Sequence, residues 1–397
     1  MQTKISTIDQ INTHTDFRTA YDWKHLVKKH GAPLLLLDCD TLRSQYKKLT
    51  AALPGVMIYF AVKSLPNKIV LETLKQEGSH FDIATQGEIK LLEQLSIPPQ
   101  RTIHTHPIKR DIDIRASMRY GCTTFVVDNP TELEKFIPYR ERVGLLLRLS
   151  FSNIDAVVDL SKKFGLCIKD APDFMNKAKK LGIRIKGLSF HVGSQSKEPD
   201  AHVAAITSCA TLLEKSRAGH DAPMSVLDIG GGFPIDYDGA EMNIDRFCRP
   251  IRTALKALPK NVQVIAEPGR FIAAPAMTCV ASVIGIAKRN EQNWYYLDDG
   301  VYGSFSGQIF DHAKYPLFSL NEGQAHAAVL AGPTCDSIDI IATDIPLPKL
   351  SLGDLIIAPM MGAYTSATAT EFNFVPKTQI VPINGPELPT IGMSRMA

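Results

Sequence analysis

Eight short apolar segments alternate with helical segments between residues 34 and 270 of this chain. Each apolar segment is nearly continuous and rich in strand-forming residues, which is typical of a parallel strand covered on both faces. The predicted strands are Met57–Lys63, His80–Ala84, Thr102–His106, Thr124–Asp128, Gly144–Leu149, Lys186–Val192, Ser225–Ile229 and Gln263–Ala266. The predicted helices between them include Asn67–Glu77, Gln86–Leu95, Pro130–Phe136, Ala171–Leu181, Ala201–Lys215 and Ile244–Ala257.

This α/β pattern fits a (β/α)8 barrel, a fold that typically takes about 250 residues. The alternative is an open doubly wound sheet, which would spread its strand ends along one edge. We favour the barrel because polar residues lie at nearly every C-terminal strand end, and a barrel gathers those ends around one mouth, where its active sites lie. These residues are Lys63, Asp82, His106, Asp128, Arg148, His191, Gly230 and Glu267.

After residue 272 the pattern changes to strands separated by turns, with few helices. This change predicts a C-terminal antiparallel β-domain over residues 273–397. Residues 1–34 are too short to fold alone and are expected to join the β-domain, which leaves 35–272 for the barrel. The predicted strands of the β-domain are Met277–Ala287, Trp294–Asp298, Ala325–Leu330, Asp354–Ala358 and Lys377–Val381.

Composition excludes several classes of protein. With 44 Lys and Arg against 41 Asp and Glu, the net charge is +3, and no long basic run predicts a nucleic-acid partner. The seven cysteines are irregularly spaced and form no C-x-x-C motif, so we expect reduced thiols in the cytoplasm and no metal site. No apolar segment resembles a signal peptide or reaches the ~18 residues of a membrane span.

Lys63 stands at the end of the first predicted barrel strand, after five strand-forming residues. Burial of an ammonium is costly, so it lowers the pKa of a lysine and gives a nucleophilic amine. Such an amine can form a Schiff base with a carbonyl cofactor. The alternative is that Lys63 is the first solvated residue of a loop.

Three consecutive glycines, Gly230, Gly231 and Gly232, follow the seventh predicted strand. Glycines there allow backbone N–H groups to close around an anion. The spacing does not match the G-x-G-x-x-G pattern of dinucleotide sites, so a single phosphate fits better. Ser194 and Arg270 follow neighbouring strands and can reach the same phosphate. The alternative is an ordinary flexible loop.

Three further residues at strand ends suit a ring-shaped cofactor. Glu267 can hold a pyridine nitrogen protonated, which makes the ring an electron sink, or it can pair with a nearby cation. His191 can stack on a planar ring, or it can be a satisfied core histidine. Arg148 interrupts an apolar strand and needs a partner, for which Glu267 is a candidate. An amine, a phosphate cup, a carboxylate and an imidazole at one mouth describe a site for pyridoxal 5'-phosphate (PLP).

Several motifs follow one another in a specific order along the chain. They are Phe60–Lys63, Phe81–Ala84, Glu88, Ser189–Ser194, Leu227–Pro234, Ala266–Arg270, Asp299–Phe305, Gly332–Asp336 and Met361–Thr365. In these motifs the chain resembles the barrel-type (fold type III, alanine-racemase-like) PLP-dependent decarboxylases of basic amino acids, and most closely the ornithine decarboxylases.

The resemblance implies a role for each residue of the site. Lys63 would bind the aldehyde of PLP, His191 would stack on its ring and Glu267 would contact its ring nitrogen. Cys335 would protonate Cα after carbon dioxide leaves. The family forms head-to-tail homodimers in which Cys335 and Asp336 reach the partner's barrel. The other residues expected to bind PLP are Asp82, Arg148, Ser194, Gly231, Gly232, Arg270 and Tyr364.

The resemblance also bears on the substrate. Asp311 and Asp336 correspond to aspartates that hold the distal ammonium of ornithine, and Phe372 is expected to line the pocket. We therefore predict decarboxylation of L-ornithine to putrescine in polyamine biosynthesis. Lysine is the main alternative, because one methylene is worth only ~1–3 kcal/mol of discrimination. An arginine decarboxylase, a diaminopimelate enzyme (which has glutamate after the cysteine) and a non-catalytic regulator like the antizyme inhibitors are further alternatives.

Two other features bear on the resemblance. The segment His104–Pro107 contains His106 where Asn-Pro is expected in animal ornithine decarboxylases, and the role of His106 stays open. Lys163 and Asp339 resemble the family's ion pair between subunits, although the sequence alone would class both as surface charges.

Overall fold

The computed structural model describes residues 18–151, 156–158, 162–217, 223–237 and 242–388. Parts of the predicted N-terminal segment and of the C-terminal domain, residues 1–17 and 389–397, lie outside the described residues. The chain divides into two compact units. One, the barrel unit, contains Cys39–Ile235 and Asn243–Ala273, and the other, the β unit, contains Ala274–Ile383 with the chain up to Asp38.

Strands and α-helices alternate through the first two thirds of the chain, and strands predominate after that. The strands are β1 Leu34–Asp38, β2 Val56–Ala61, β3 His80–Ile83, β4 Thr102–His104, β5 Thr124–Val127, β6 Gly144–Leu149, β7 Ala156–Val158, β8 Ile185–Phe190, β9 Ser194–Ser196, β10 Val226–Asp228, β11 Gln263–Ala266, β12 Met277–Arg289, β13 Gln292–Leu297, β14 Phe318–Ser319, β15 His326–Ala331, β16 Ile340–Leu347, β17 Leu355–Ala358 and β18 Gln379–Ile383. The α-helices are α1 Trp23–His30, α2 Cys39–Ala52, α3 Lys68–Gln76, α4 Gln86–Gln94, α5 Asp111–Tyr120, α6 Pro130–Glu134, α7 Ala171–Lys180, α8 Asp200–Arg217, α9 Ile244–Leu255, α10 Arg270–Ala273 and α11 Gly307–Phe310.

Eight parallel strands close into a barrel in the order β2, β3, β4, β5, β6, β8, β10 and β11, and β11 returns to β2. Every predicted barrel segment overlaps one of these strands, so the predicted (β/α)8 barrel is confirmed. Several predicted strands run one or two residues too far at the C-terminal end. The polar residues at these ends, among them Lys63, Asp128 and His191, lie beyond the hydrogen-bonded strands at the C-terminal end of the barrel.

The interior of the barrel is apolar. A buried cluster is formed by side chains from six of the strands: Tyr59, Ile103, Val126, Leu146, Val226 and Ile265. Helices on the outside cover the other face of each strand, which explains why the strand segments read as continuous apolar runs. Some of the helices begin at side-chain caps: Asn67 accepts from the N–H groups of Ile69 and Val70, and Asn129 accepts from that of Glu132.

The β unit is built on one large sheet with the path β14, β17, β12, β13, β15 and β16, while β1 pairs with both β12 and β18. Most pairs are antiparallel, as predicted, but β13 with β15 and β1 with β18 are parallel. The strands β1, β14 and β16 were not among the predicted strands. The core of the unit includes Trp23, Leu34, Leu36, Val280 and Ile357. Among the described residues, no helix combines the length and apolarity needed to cross a bilayer.

Candidate active site

Lys63 lies just beyond β2, in the 3-10 turn Val62–Ser64 at the mouth of the barrel. Its Nζ is 3.0 Å from Oδ2 of Asp82, at the end of the neighbouring strand β3. The Lys63 side chain is 44% exposed, whereas that of Asp82 is 1% exposed. The expectation of a buried amine is therefore wrong for the side chain. Instead, a buried carboxylate holds an amine that is open to the mouth.

A second carboxylate stands near this pair. Glu88, in the first turn of α4, accepts a hydrogen bond from the N–H of Ala84 at 2.5 Å. Burial raises the pKa of Glu88 to about 7, although the hydrogen bond from Ala84 opposes this shift and the charge of Asp82 adds to it. Asp82 itself accepts from the hydroxyl of Thr105, at the end of β4. With a pKa of about 7, Glu88 is about half protonated at neutral pH.

Glu267 follows β11 and is buried beside Asp228, the last residue of β10. Burial raises the pKa of Glu267 well above its usual value, and the nearby charge of Asp228 raises it further. The shift favours a proton held between the carboxyl groups of Glu267 and Asp228. Asp228 is fixed by the Ser189 hydroxyl at 3.1 Å and by the N–H of Gly230 at 2.9 Å. Sequence reasoning missed Asp228, although its place before the three glycines was a usable signal.

Arg148 lies on β6, with its guanidinium 5.3 Å from the ring centroid of Phe164. Within the described part of the chain it forms no ion pair closer than 4.0 Å, so the predicted direct pair with Glu267 is absent. Burial lowers the pKa of Arg148. Nearby negative charges oppose this shift, and that of Glu267 has the largest effect among them. Phe164 also contacts His106 edge-on, with ring centroids 5.7 Å apart. His106, which departs from the family pattern, therefore lies near Arg148.

His191 follows β8 and accepts a hydrogen bond on Nδ1 from the N–H of Gly193 at 3.0 Å. Burial lowers its pKa well below the usual value, and the positive charges of Arg148 and Lys63 add to this effect. The imidazole is therefore neutral, and the proton lies on Nε2, because Nδ1 is an acceptor. A neutral flat ring at the mouth suits stacking against a planar cofactor.

The three glycines form a cup against the neighbouring strand ends. A Cβ atom on Gly230 would lie 2.3 Å from the carbonyl oxygen of Phe190, and one on Gly231 would lie 2.7 Å from that of Glu267. Gly230 and Gly232 also have φ of 66° and 93°, in the left-handed region that glycine tolerates. No larger residue fits at Gly230 or Gly231. The N–H of Gly230 donates to Asp228, whereas those of Gly231 and Gly232 have no acceptor among the described residues and are open to an anion.

Two other predicted phosphate ligands flank this cup. Ser194 begins β9, and the buried Arg270 begins α10 after β11. A hydroxyl and a guanidinium are donors that suit a phosphate. With Lys63 and Glu267 at the same strand ends, the residues of the barrel unit fit PLP.

The remaining predicted residues belong to the β unit. Asp336 accepts a hydrogen bond from the hydroxyl of Tyr302 at 2.5 Å, and the rings of Tyr302 and Phe372 stack with centroids 4.4 Å apart. Oδ1 of Asn373 accepts from the N–H and the thiol of Cys335, at 3.2 and 3.3 Å. The β unit thus brings Cys335, Asp336 and Phe372 together through Tyr302 and Asn373. Neither connecting residue was predicted as a site residue, although Asn373 adjoins Phe372.

Three other residues of the β unit were singled out from the sequence. Asp311 follows α11 and donates its N–H to the carbonyl of Gly307 at 2.9 Å. Tyr364 has φ of 56°, an uncommon backbone conformation for a bulky residue. Asp339 is buried and accepts from the N–H of Val301 and from the N–H and hydroxyl of Thr334, so it is not an ordinary surface charge.

Comparison with known families decides the chemistry of this site. The model of the pyridoxal-dependent decarboxylases, pyridoxal binding domain, matches residues 39–274, which include Lys63, His191, the glycine cup and Glu267. This chain belongs to the pyridoxal-dependent decarboxylases. It is therefore a carboxy-lyase whose cofactor is PLP.

Individual relatives cover most of this decarboxylase. It is 34% identical to a lysine/ornithine decarboxylase of Selenomonas ruminantium over 88% of this chain and 89% of that protein. It is 33% identical to the ornithine decarboxylase of Mus musculus over 85% and 77%. The crystal structure of a lysine/ornithine decarboxylase from Vibrio vulnificus with putrescine matches with a TM-score of 0.87 and 54% identity, over 91% of this chain and 97% of the other. A cadaverine complex from the same organism matches equally well. This decarboxylase is thus a member of the group that acts on basic amino acids.

Proposed function

We propose that this decarboxylase converts L-ornithine to putrescine and carbon dioxide. The observation that carries the proposal is the Asp336 carboxylate beside Cys335. The hydrogen bond from Tyr302 lowers the pKa of Asp336, so its negative charge persists at neutral pH. A fixed carboxylate suits the distal ammonium of a diamino acid and repels a distal carboxylate. Asp311 is proposed as the second group that holds this ammonium, and the ring of Phe372 as a wall of the pocket.

L-Lysine is the second candidate substrate. Proteins named lysine/ornithine decarboxylase in two bacteria are similar to this chain, and the Vibrio vulnificus structures contain putrescine or cadaverine. The two substrates differ by one methylene, which a pocket of this kind discriminates by about 1–3 kcal/mol. A dual specificity with a preference for ornithine is therefore the form of the proposal that the relatives favour.

In the proposed site, the barrel unit holds PLP. Lys63 would bind its aldehyde, His191 would lie against its ring and Glu267 would contact its ring nitrogen. When bound, PLP supplies an aldehyde that condenses with amines and a ring that withdraws electrons. Asp82 holds the Lys63 ammonium in place and stabilises its charge. The phosphate would be held by Ser194, Gly231, Gly232, Arg270 and Tyr364.

The proton inventory of the site supports this assignment. Glu267 shares one proton with Asp228 and can keep a basic ring nitrogen protonated. Arg148 adds a positive charge that balances these two carboxylates. Loss of carbon dioxide leaves Cα in need of a proton, which we assign to the thiol of Cys335. Asn373 accepts a hydrogen bond from that thiol and thereby orients it.

We further propose a homodimer in which Cys335 and Asp336 of one protomer complete the site in the other protomer's barrel, with Lys163 and Asp339 paired across the interface. The test is to mix two variants that are deficient in diamine formation, Lys63→Ala and Cys335→Ala, with diamine release as the measured activity. After subunit exchange at equal amounts, heterodimers carry one intact site, so activity should reach about a quarter of wild type. A mixture that stays inactive although exchange is complete contradicts shared sites.

The substrate is tested by kcat/KM for ornithine, lysine, arginine and diaminopimelate, with carbon dioxide release as the readout. Ornithine should have the highest kcat/KM, and the kcat/KM for lysine should be lower by at most about 10- to 200-fold. Asp336→Asn removes the charge but keeps the shape, and should lower kcat/KM for ornithine by about tenfold or more. The same change should leave L-norvaline, which lacks the distal amine, unaffected. Asp344→Asn, at an exposed aspartate of the same unit, is the control.

A higher kcat/KM for diaminopimelate than for ornithine, or equal losses for ornithine and norvaline in Asp336→Asn, would refute the substrate assignment. All seven cysteines are free thiols in the structure, which supports the cytoplasm as the proposed location. The proposed role is polyamine biosynthesis, because the proposed product is putrescine.

A further inference from the structure

His202 is a buried polar residue. It was not predicted as a site residue from the sequence, and it has no role in the proposed reaction. It lies on α8, its side chain is fully buried, and its Nε2 is 3.1 Å from the carbonyl oxygen of Gly231. Gly231 is the middle glycine of the cup. The hydrogen bond therefore connects a helix on the outside of the barrel to the backbone of the anion-binding loop.

The surroundings of His202 are aromatic rather than polar. Its ring stacks on Phe233 with centroids 5.4 Å apart, and it meets Phe247 and Phe190 edge-on at 6.0 and 6.4 Å. Burial lowers its pKa to about 4, so the ring is neutral and Nε2 donates to the carbonyl. In the part of the chain that the structure covers, Nδ1 has no hydrogen-bond partner. Burial of a polar ring among apolar side chains costs free energy, which the hydrogen bond to Gly231 partly offsets. This hydrogen bond is the one contact of His202 that a phenylalanine could not make.

The carbonyl groups of all three glycines are held from outside the cup. Glu267 N–H donates to the carbonyl of Gly230 at 2.8 Å, and Ser196 N–H donates to that of Gly232 at 3.0 Å. His202 is the one side chain among these donors. Within the described residues, no acceptor takes the N–H of Gly231 or Gly232.

Peptide geometry links these carbonyls to the open N–H groups. In a planar trans peptide, the carbonyl of Gly231 and the N–H of Gly232 point in opposite directions. When His202 holds the Gly231 carbonyl toward α8, the Gly232 N–H points away from the helix. Glycine has no side chain to restrict this peptide, so an external contact is needed to keep one orientation.

We propose that His202 is a positioning residue for the cofactor phosphate: its hydrogen bond to Gly231 fixes the peptide whose N–H, at Gly232, faces the phosphate. His202 does not touch the cofactor and acts through the loop. The inference rests on the PLP site of the family and is independent of which amino acid is the substrate.

The experiment compares ligands with and without a phosphate on the full-length protein freed of cofactor. His202→Phe keeps the aromatic packing but removes the donor, whereas His202→Gln keeps an N–H donor. His202→Leu is a second variant without a donor, for use if the phenylalanine variant does not fold. Cys209→Ala, at a buried position of the same helix, controls for general loosening of α8. The measurements are dissociation constants for PLP and for pyridoxal, and competition by inorganic phosphate.

The variants without a donor should bind PLP about tenfold more weakly, because a buried carbonyl loses its partner. Their affinity for pyridoxal, which lacks the phosphate, should change less than twofold, and inorganic phosphate should compete about tenfold more weakly. His202→Gln should recover most of the PLP affinity. Equal losses for PLP and pyridoxal, or unchanged PLP affinity in a folded variant without a donor, would overturn the proposal. These results do not depend on turnover, so a failure of the ornithine assignment is recognised separately.

Discussion

Glu88 offers a quantitative test of the electrostatics at the barrel mouth. Its pKa is raised from 4.5 to about 7, mainly because the carboxyl group is buried. The folded protein therefore binds this proton more tightly than the unfolded chain. The resulting stabilisation is fully present below pH 4.5, and it is lost as the pH rises through about 7.

The size of the effect follows from the two pKa values. Tenfold in proton affinity corresponds to about 1.4 kcal/mol, so ionisation of Glu88 above pH 7 costs the folded state about 3 kcal/mol at most. Glu88→Gln keeps the neutral shape and an oxygen that accepts from Ala84 at every pH. The variant should therefore be more stable than wild type, by about 1 kcal/mol at pH 5.5 and about 3 kcal/mol at pH 8.5.

Denaturant unfolding of the variant and of wild type, repeated from pH 5.5 to 8.5, measures this difference. Cofactor occupancy is kept equal in both proteins, because ligand binding also shifts stability. Glu93→Gln, on the exposed part of the same helix α4, controls for the removal of one negative charge. A stability difference between Glu88→Gln and wild type that does not grow with pH would refute the argument from burial.

Three further substitutions test other parts of the structure. Cys335→Ala should lower the molar ratio of diamine to carbon dioxide, and an unchanged ratio would exclude the thiol as the acid. Gly231→Ala should weaken PLP binding more than about tenfold in a titration, because its Cβ would lie 2.7 Å from the carbonyl oxygen of Glu267; Gly87→Ala, whose Cβ meets only an ordinary contact, should bind like wild type. Lys109→Met should destabilise the barrel by about 2 kcal/mol in chemical unfolding, because its buried ammonium donates to three backbone carbonyls, and an unchanged midpoint would contradict this.

The barrel was predictable because each strand can be recognised from its own short stretch of sequence, as a continuous apolar segment that ends near a polar residue. The parallel pairing in the β unit was not, because β1 and β18 are brought together from opposite ends of the sequence. The predicted residues Lys63, Asp82, His191 and Glu267 lie at strand ends of one barrel, which chain periodicity alone implied.

The contacts between side chains at different strand ends could not be predicted from the sequence. The proton shared by Asp228 and Glu267 depends on the register of β10 against β11. Lys63 is exposed because it lies in the 3-10 turn that follows β2. No pattern in the sequence predicted this turn. His202 could not be recognised either, because a histidine on a helix has no local sign that its ring meets a loop carbonyl.

The sheet of the β unit joins two distant stretches of chain, since Leu36 is in register with Val381. During synthesis from the N-terminus, β1 has to wait for almost the whole polypeptide before β18 can pair with it. A product that stops before residue 379 would leave the four leucines Leu34–Leu37 on an open sheet edge. Such an edge recruits other strands, so premature termination of this chain should yield aggregates rather than a shortened enzyme.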